Sequence, residues 1–173
     1  MGLVRQAAKK ADYLRYVAYE MGLEELRRKR AARLKAPKDH FGFVQRQYAV
    51  FERGLKKFKS DVGLWLEYVE TAKREKATAM VGRILTRAVQ VHPNDVRLWI
   101  LLARHELETL DSVSGARTVL QRGLRMNGES DELWIAYIEL EISIMEPGVV
   151  ELVVRSAPER VRKLDMWADY IRD

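Results

Sequence analysis

Between Arg27 and Lys38 the chain places seven bases in twelve residues: Arg27, Arg28, Lys29, Arg30, Arg33, Lys35 and Lys38. Clustered cationic side chains neutralise phosphates and release their counterions, so such a run can hold RNA in a salt-dependent way. The same residues suit an acidic protein segment, and the string RRKR also reads as an import-like signal or a solvated helix face. The residues alone leave these alternatives open. The cluster belongs to a wider asymmetry. Residues 1–60 carry sixteen Lys or Arg against six Asp or Glu, a net of +10, whereas the whole chain nets +6. The basic surface is therefore confined to one end.

Residues suited to catalysis are few. His40, His92 and His105 show no metal-ligand spacing, and there is no cysteine to form a thiolate site or a disulfide. A Gly-rich phosphate loop is missing. Glu106 and Glu108 read better as repeat and surface acids than as a general acid/base pair. The expectation is a binding protein, not an enzyme, with no cofactor, no metal and no small-molecule substrate. No apolar run approaches the roughly 20 residues that span a bilayer. The first residues fit neither a myristoylation nor a secretory pattern. These features predict a soluble intracellular protein with no membrane partner.

The elements that would carry the basic cluster are set by an internal repeat. "LWLEYVE" at 64–70 returns as "LWILLAR" at 98–104, as "LWIAYIE" at 133–139 and, trimmed, as "MWADYIR" at 166–172. Trp65, Trp99, Trp134 and Trp167 thus follow one another at 34, 35 and 33 residues. A second column, "ERGL" at 52–55, "TRAV" at 86–89 and "QRGL" at 121–124, keeps the same period. Two columns with one period indicate stacked supersecondary units.

Each unit reads as two helices. Trp65, Tyr68, Val69 and Ala72 make an apolar stripe at i, i+3, i+4 and i+7, and Val81, Ile84, Leu85 and Ala88 make another. His92-Pro93-Asn94-Asp95 and Asn127-Gly128-Glu129-Ser130-Asp131 separate units and offer caps. No stretch sustains period-two alternation. The predicted fold is all-α: an α-solenoid of antiparallel helix pairs, because one pair cannot bury its own apolar face. Its units run over about 12–59 (with a basic insertion at 23–42), 61–93, 95–128 and 130–157, with a partial unit at 163–173, in a single domain spanning 1–173. Tyr13 and Tyr16 stand in the first unit where the others have Trp and Tyr. The helical phase predicts that Tyr13, Tyr16, Trp65, Tyr68, Trp99, Trp134, Tyr137 and Trp167 form the repeat core rather than a row that stacks bases.

These phrases resemble HAT (half-a-tetratricopeptide) repeats, whose first helix carries Trp, an aromatic three residues on and Glu seven on. Tyr13/Tyr16/Glu20, Trp99/Glu106 and Trp134/Tyr137/Glu141 follow that pattern, while Ala72 and Leu102 depart from it. More closely, "DYLRYVAYEMGLEELRRKR", "FERGLKKFKSDVGLWLEYVE" and "RTVLQRGLRMN" are similar to the U3 small nucleolar RNA-associated protein 6 family, over about Asp12 to Ile142. That resemblance implies a nucleolar, non-catalytic scaffold subunit of the UTP-B complex in the small-subunit processome. Its implied partners are the other UTP-B subunits, most of them β-propeller proteins, and the pre-rRNA and U3 snoRNP. A HAT scaffold of a splicing or 3′-end cleavage complex is the alternative. Met1 to Ala11 does not resemble the family's start, and the pattern loosens after Ile142. The chain is accordingly expected to be a fragment or to lack internal stretches.

Overall fold

A computed structural model describes residues 9–34, 41–144 and 147–162, and among them every regular element is a helix. In chain order these are α1 (Lys10–Leu34), α2 (Phe41–Lys57), α3 (Val62–Arg74), α4 (Thr78–Val91), α5 (Val96–Leu110), α6 (Val113–Met126), α7 (Asp131–Ile144), α8 (Pro147–Ser156) and the short α9 (Glu159–Arg162). The fold class is the all-α helical repeat that the two columns predict. Two compact units form, Met1–Ala77 and Thr78–Asp173, and the division falls inside the expected repeat 61–93.

The repeat phrase makes the first helix of each described pair from α3 on, and an aspartate starts two of these helices. Asp61 and Asp95 stand four residues before Trp65 and Trp99 and cap α3 and α5 by accepting from the Leu64 and Arg97 amides, each at 3.1 Å. The residue just before each described tryptophan, Leu64, Leu98 or Leu133, is fully buried. Each described indole N–H then donates to the carbonyl six residues upstream. Trp65 bonds Lys59 at 3.1 Å, Trp99 bonds Pro93 at 2.8 Å and Trp134 bonds Gly128 at 2.8 Å. A buried indole thereby meets its polar requirement and pins the turn that precedes its helix. The Pro93 carbonyl takes a second bond, from the Asn127 side-chain amide at 2.8 Å, tying successive turns of the second unit together.

The second column explains the small residue in "ERGL" and "QRGL". A Cβ on Gly123 would lie 3.0 Å from the Trp99 ring, and one on Gly54 would lie 3.4 Å from the Tyr13 ring. The aromatic of the first helix needs a residue with little or no side chain on the second. Ala88 holds the corresponding place in "TRAV".

The first position of this column reaches forward to the next helix. Tyr68 donates to Glu52 at 3.2 Å, and Gln121 donates to Tyr137 at 2.9 Å, in both cases across sixteen residues. Where the aromatic is replaced by Leu102, position 86, sixteen residues earlier, holds Thr86 in place of Glu or Gln. The departure from the family pattern thus comes as an exchanged pair. At the seventh position Glu141 is wholly buried, and Arg117 meets it in a fork of two 2.7 Å bonds. A sealed carboxylate requires such a partner.

Of the expected core residues, Trp65, Tyr68, Trp99 and Tyr137 are buried, while Tyr13 and Trp134 are half-buried. Trp167 and the partial unit 163–173 lie outside the described residues. Tyr16 must be corrected. It is exposed, whereas Tyr68, at the same helical phase, is covered by Phe51 and Glu52 of α2.

Replacing Trp99 with Ala should lower the unfolding free energy by about 3–5 kcal/mol. Trp99→Phe, which keeps most of the ring and loses the Pro93 bond, should cost about 1 kcal/mol. Urea unfolding followed by circular dichroism measures both. A Trp99→Phe variant as stable as the parent would show that the indole N–H contributes nothing.

Candidate nucleic-acid or partner interface

The basic cluster begins inside α1, whose 25 residues exceed the 13–15 of α3 to α7. Its extension is made of Leu, Glu, Arg, Lys and Ala, all strong helix formers. It also carries acid–base pairs at helical spacing, Glu24–Arg27, Glu24–Arg28 and Glu25–Lys29. The expected insertion is therefore, up to Leu34, a continuation of the first helix.

The structure separates the seven bases. Glu24 is almost fully buried and accepts three bonds, from Arg27 Nε at 2.9 Å, Arg27 Nη2 at 3.2 Å and Arg28 Nε at 2.9 Å. Arg28 also reaches Glu75 through Nη2 at 2.7 Å, linking α1 to the end of α3 within the first unit. The Glu24 bond raises the Arg28 pKa above its ordinary value, against a smaller opposing effect of burial, and Glu75 adds to the rise. Arg27 and Arg28 thus serve first as internal clamps. Lys29 and Glu25 form a largely exposed pair at 2.7 Å, a kind of contact that gives way readily to another ligand. Arg30 and Arg33 are exposed, and neither forms an ion pair among the described residues. Lys35 and Lys38 lie outside the described residues. Of the seven bases, those left facing solvent on the described helix are Lys29, Arg30 and Arg33, with the half-exposed edge of Arg28 beside them.

A second clamp fixes the other end of α1. Lys10 Nζ bonds Asp61 Oδ1 at 2.7 Å, and the same carboxylate caps α3. The lysine contact, helped by the Leu64 and Gly63 amides, holds the Asp61 pKa below the usual carboxylate value. Arg97 does the same to Asp95 at the start of α5. The sequence signal missed at this end was distance: Glu75 lies 47 residues from Arg28 and Asp61 lies 51 from Lys10.

Among the described residues no group of three or more His, Asp or Glu could hold a metal, and no helix is long and apolar enough to cross a membrane. Glu108 is exposed and lies 3.7 Å from Arg104. Glu106 is half-buried on the same helix.

Comparison with known proteins bears on this geometry. Residues 1–53 match the family model described as U3 small nucleolar RNA-associated protein 6, and residues 49–157 match that of the PRP39 N-terminal HAT repeat. The Schizosaccharomyces pombe U3 small nucleolar RNA-associated protein 6 is 40% identical over 147 residues. The chain belongs to the U3 small nucleolar RNA-associated protein 6 family, and its repeats are HAT repeats. The S. pombe alignment takes in 83% of this chain and 30% of that relative. The human homolog is 32% identical over 142 residues, covering 80% of this chain and 24% of its own length. The chain therefore spans less than a third of the curated relatives it matches. The family match also starts at residue 1, ahead of the Asp12 expected from the repeat phrase. Among solved structures, the APC/C hetero-tetramer Cut9–Hcn1 superposes with a TM-score of 0.50 at 14% identity, over 92% of this chain and 29% of that one. That likeness concerns the fold alone.

The depressed Asp61 and Asp95 pKa values set a pH dependence. A lowered folded pKa adds stability above the unfolded carboxylate value of about 3.9 and loses it as pH falls through the folded value. The melting temperature should fall steeply below about pH 4. Asp61→Asn, which still caps but cannot pair with Lys10 as an anion, should melt lower at pH 7 and lose less on acidification. A pH series of thermal melts for the two proteins checks this; parallel curves would rule out the Asp61 contribution.

Proposed function

We propose that this chain is the helical-repeat part of a non-catalytic scaffold acting in U3 snoRNP-dependent pre-rRNA processing. On this reading it is a subunit of the UTP-B complex of the small-subunit processome, is nucleolar, and contacts β-propeller sister subunits and RNA. The observation that carries the reading is the 40% identity with a protein named for its association with U3 small nucleolar RNA. The basic extension of α1 on a scaffold of HAT pairs is compatible with it. Exposed Lys29, Arg30 and Arg33 supply the phosphate-facing charges, and the repeats supply protein-binding surface. A second reading, a HAT scaffold of another RNA-processing complex, draws on the PRP39-type match over 49–157.

Two measurements test the proposal. Tagged chain expressed in cells should recover U3 small nucleolar RNA together with UTP-B subunits; recovery of spliceosomal RNA instead would select the second reading. In vitro, Arg30→Gln with Arg33→Gln should weaken RNA binding. It should also reduce the slope of log K against log salt by about 1.4, at about 0.7 for each single-stranded phosphate no longer neutralised. An unchanged slope would remove RNA from the role of this helix.

A further inference from the structure

Among the described helices, α4 and α6 alone carry no acid. This is notable because the chain beyond residue 60 is acidic overall, the first 60 residues holding +10 against a total of +6. On α4, Arg83, Thr86, Arg87 and Gln90 fall at i, i+3, i+4 and i+7. On α6, Ser114, Thr118, Arg122 and Arg125 fall at i, i+4, i+8 and i+11. All eight are exposed. Arg83, Arg122 and Arg125 form no ion pair among the described residues. Each helix therefore presents a stripe of guanidinium, hydroxyl and carboxamide groups.

Between the two stripes, over α5, lies a furrow of about 460 Å³ lined by Thr86, Gln90, Ser114, Thr118 and Arg122. Glu106 of α5 also lines it, half-buried, and Gly115 makes room for its carboxylate, since an added Cβ would lie 2.5 Å from Oε2. The repeat sets this acid apart. Glu141, one period on, is held by Arg117, whereas the residue one period before Arg117 is Gly82. The Thr118 hydroxyl donates to the Ser114 carbonyl at 2.8 Å, so it too meets a ligand with lone pairs. Acceptors within and arginines along the rims suit a ligand that carries anions and hydroxyl donors side by side. The backbone of RNA does so: guanidinium groups take its phosphates, and a carboxylate takes a ribose 2′-OH. An acidic side chain has no such donor and would meet Glu106 as a like charge. The Trp99 ring beneath the furrow is buried and its N–H is bonded to Pro93, so the furrow offers no ring on which a base can stack.

We infer that the furrow between α4 and α6 binds the sugar–phosphate backbone of single-stranded RNA, with phosphates on Arg83, Arg122 and Arg125 and a ribose 2′-OH on Glu106. Contacts of this kind hold a strand in place without reading its base sequence. The inference goes beyond the scaffold reading, whose RNA charges lie on α1 in the other compact unit.

The test is fluorescence anisotropy with short labelled oligouridine and oligodeoxyuridine, which differ only in the 2′-OH. The protein is the 173-residue chain carrying Arg30→Gln and Arg33→Gln, so that α1 contributes little. RNA should bind about threefold to tenfold more tightly than DNA, as one hydrogen bond allows. Arg122→Gln with Arg125→Gln should lower the slope of log K against log salt by about 1.4 for the RNA, at about 0.7 for each phosphate released. Both side chains are exposed, so this variant should keep the helical content of its parent. Glu106→Ala should bring the RNA-to-DNA affinity ratio close to one without weakening DNA binding, a pattern that a loss of folding would not give. Equal affinity of the starting protein for RNA and DNA, or a salt slope indifferent to the Arg122 and Arg125 changes, would overturn the inference. So would tighter binding of polyglutamate than of the RNA, which would make the furrow a site for an acidic peptide. None of these outcomes touches recovery of U3 RNA from cells, so the scaffold reading and the RNA furrow fail separately.

Discussion

The bond from each described indole N–H to the carbonyl six residues upstream is the contact on which the other repeat features converge. It requires a tryptophan at the head of the first helix, a cap four residues before it and a turn that exposes one carbonyl inward. At Trp99 it also requires space over the second helix, which Gly123 provides. An aromatic ring of this size contributes mainly through burial. The hydrogen bond adds direction, fixing how the chain enters the helix and hence where the adjacent leucine is buried. Phenylalanine could supply the burial without that alignment.

Charge operates in a second layer. Buried carboxylates at Glu24 and Glu141 are each met by arginine, and the desolvation of an acid is offset only when such geometry is good. In the first unit this demand draws Arg27 and Arg28 out of the basic cluster and turns them inward. The excess of positive charge at that end is therefore divided. Part of it neutralises Glu24 within α1 and ties α1 to the end of α3 through Glu75, and the part beyond Arg28 faces solvent. Side chains alike in type and adjacent in sequence have become different in role through their neighbours.

Much of this is legible in the sequence. The tryptophan period, the apolar stripes and the His92–Asp95 and Asn127–Asp131 turns identify the helix pairs, because 3.6-residue periodicity and capping chemistry are local. Indole acceptors are not legible, since a carbonyl has no residue type to mark it. Neither are the Tyr68–Glu52 and Gln121–Tyr137 bonds, which need the packing of one pair on the next. The likeness of Tyr16 to Tyr68 points to a core position, yet its exposure depends on what covers α1, and no property of Tyr16 itself reveals that. Among the bases, the Glu24 pairs can be read from their spacing of three and four, whereas the reach of Arg28 to Glu75 cannot.

The claim that the repeated tryptophans hold turns rather than ligands is tested most directly by hydrogen exchange at the indole nitrogens, followed by 15N NMR on the intact chain. The Trp65, Trp99 and Trp134 indole protons should exchange much more slowly than those of free tryptophan, with Trp134, the more accessible ring, the fastest of the three. Their shifts should stay unchanged when RNA is added. Indole protons that exchange at the free rate while the helix amides remain protected, or that shift when RNA binds, would contradict the account.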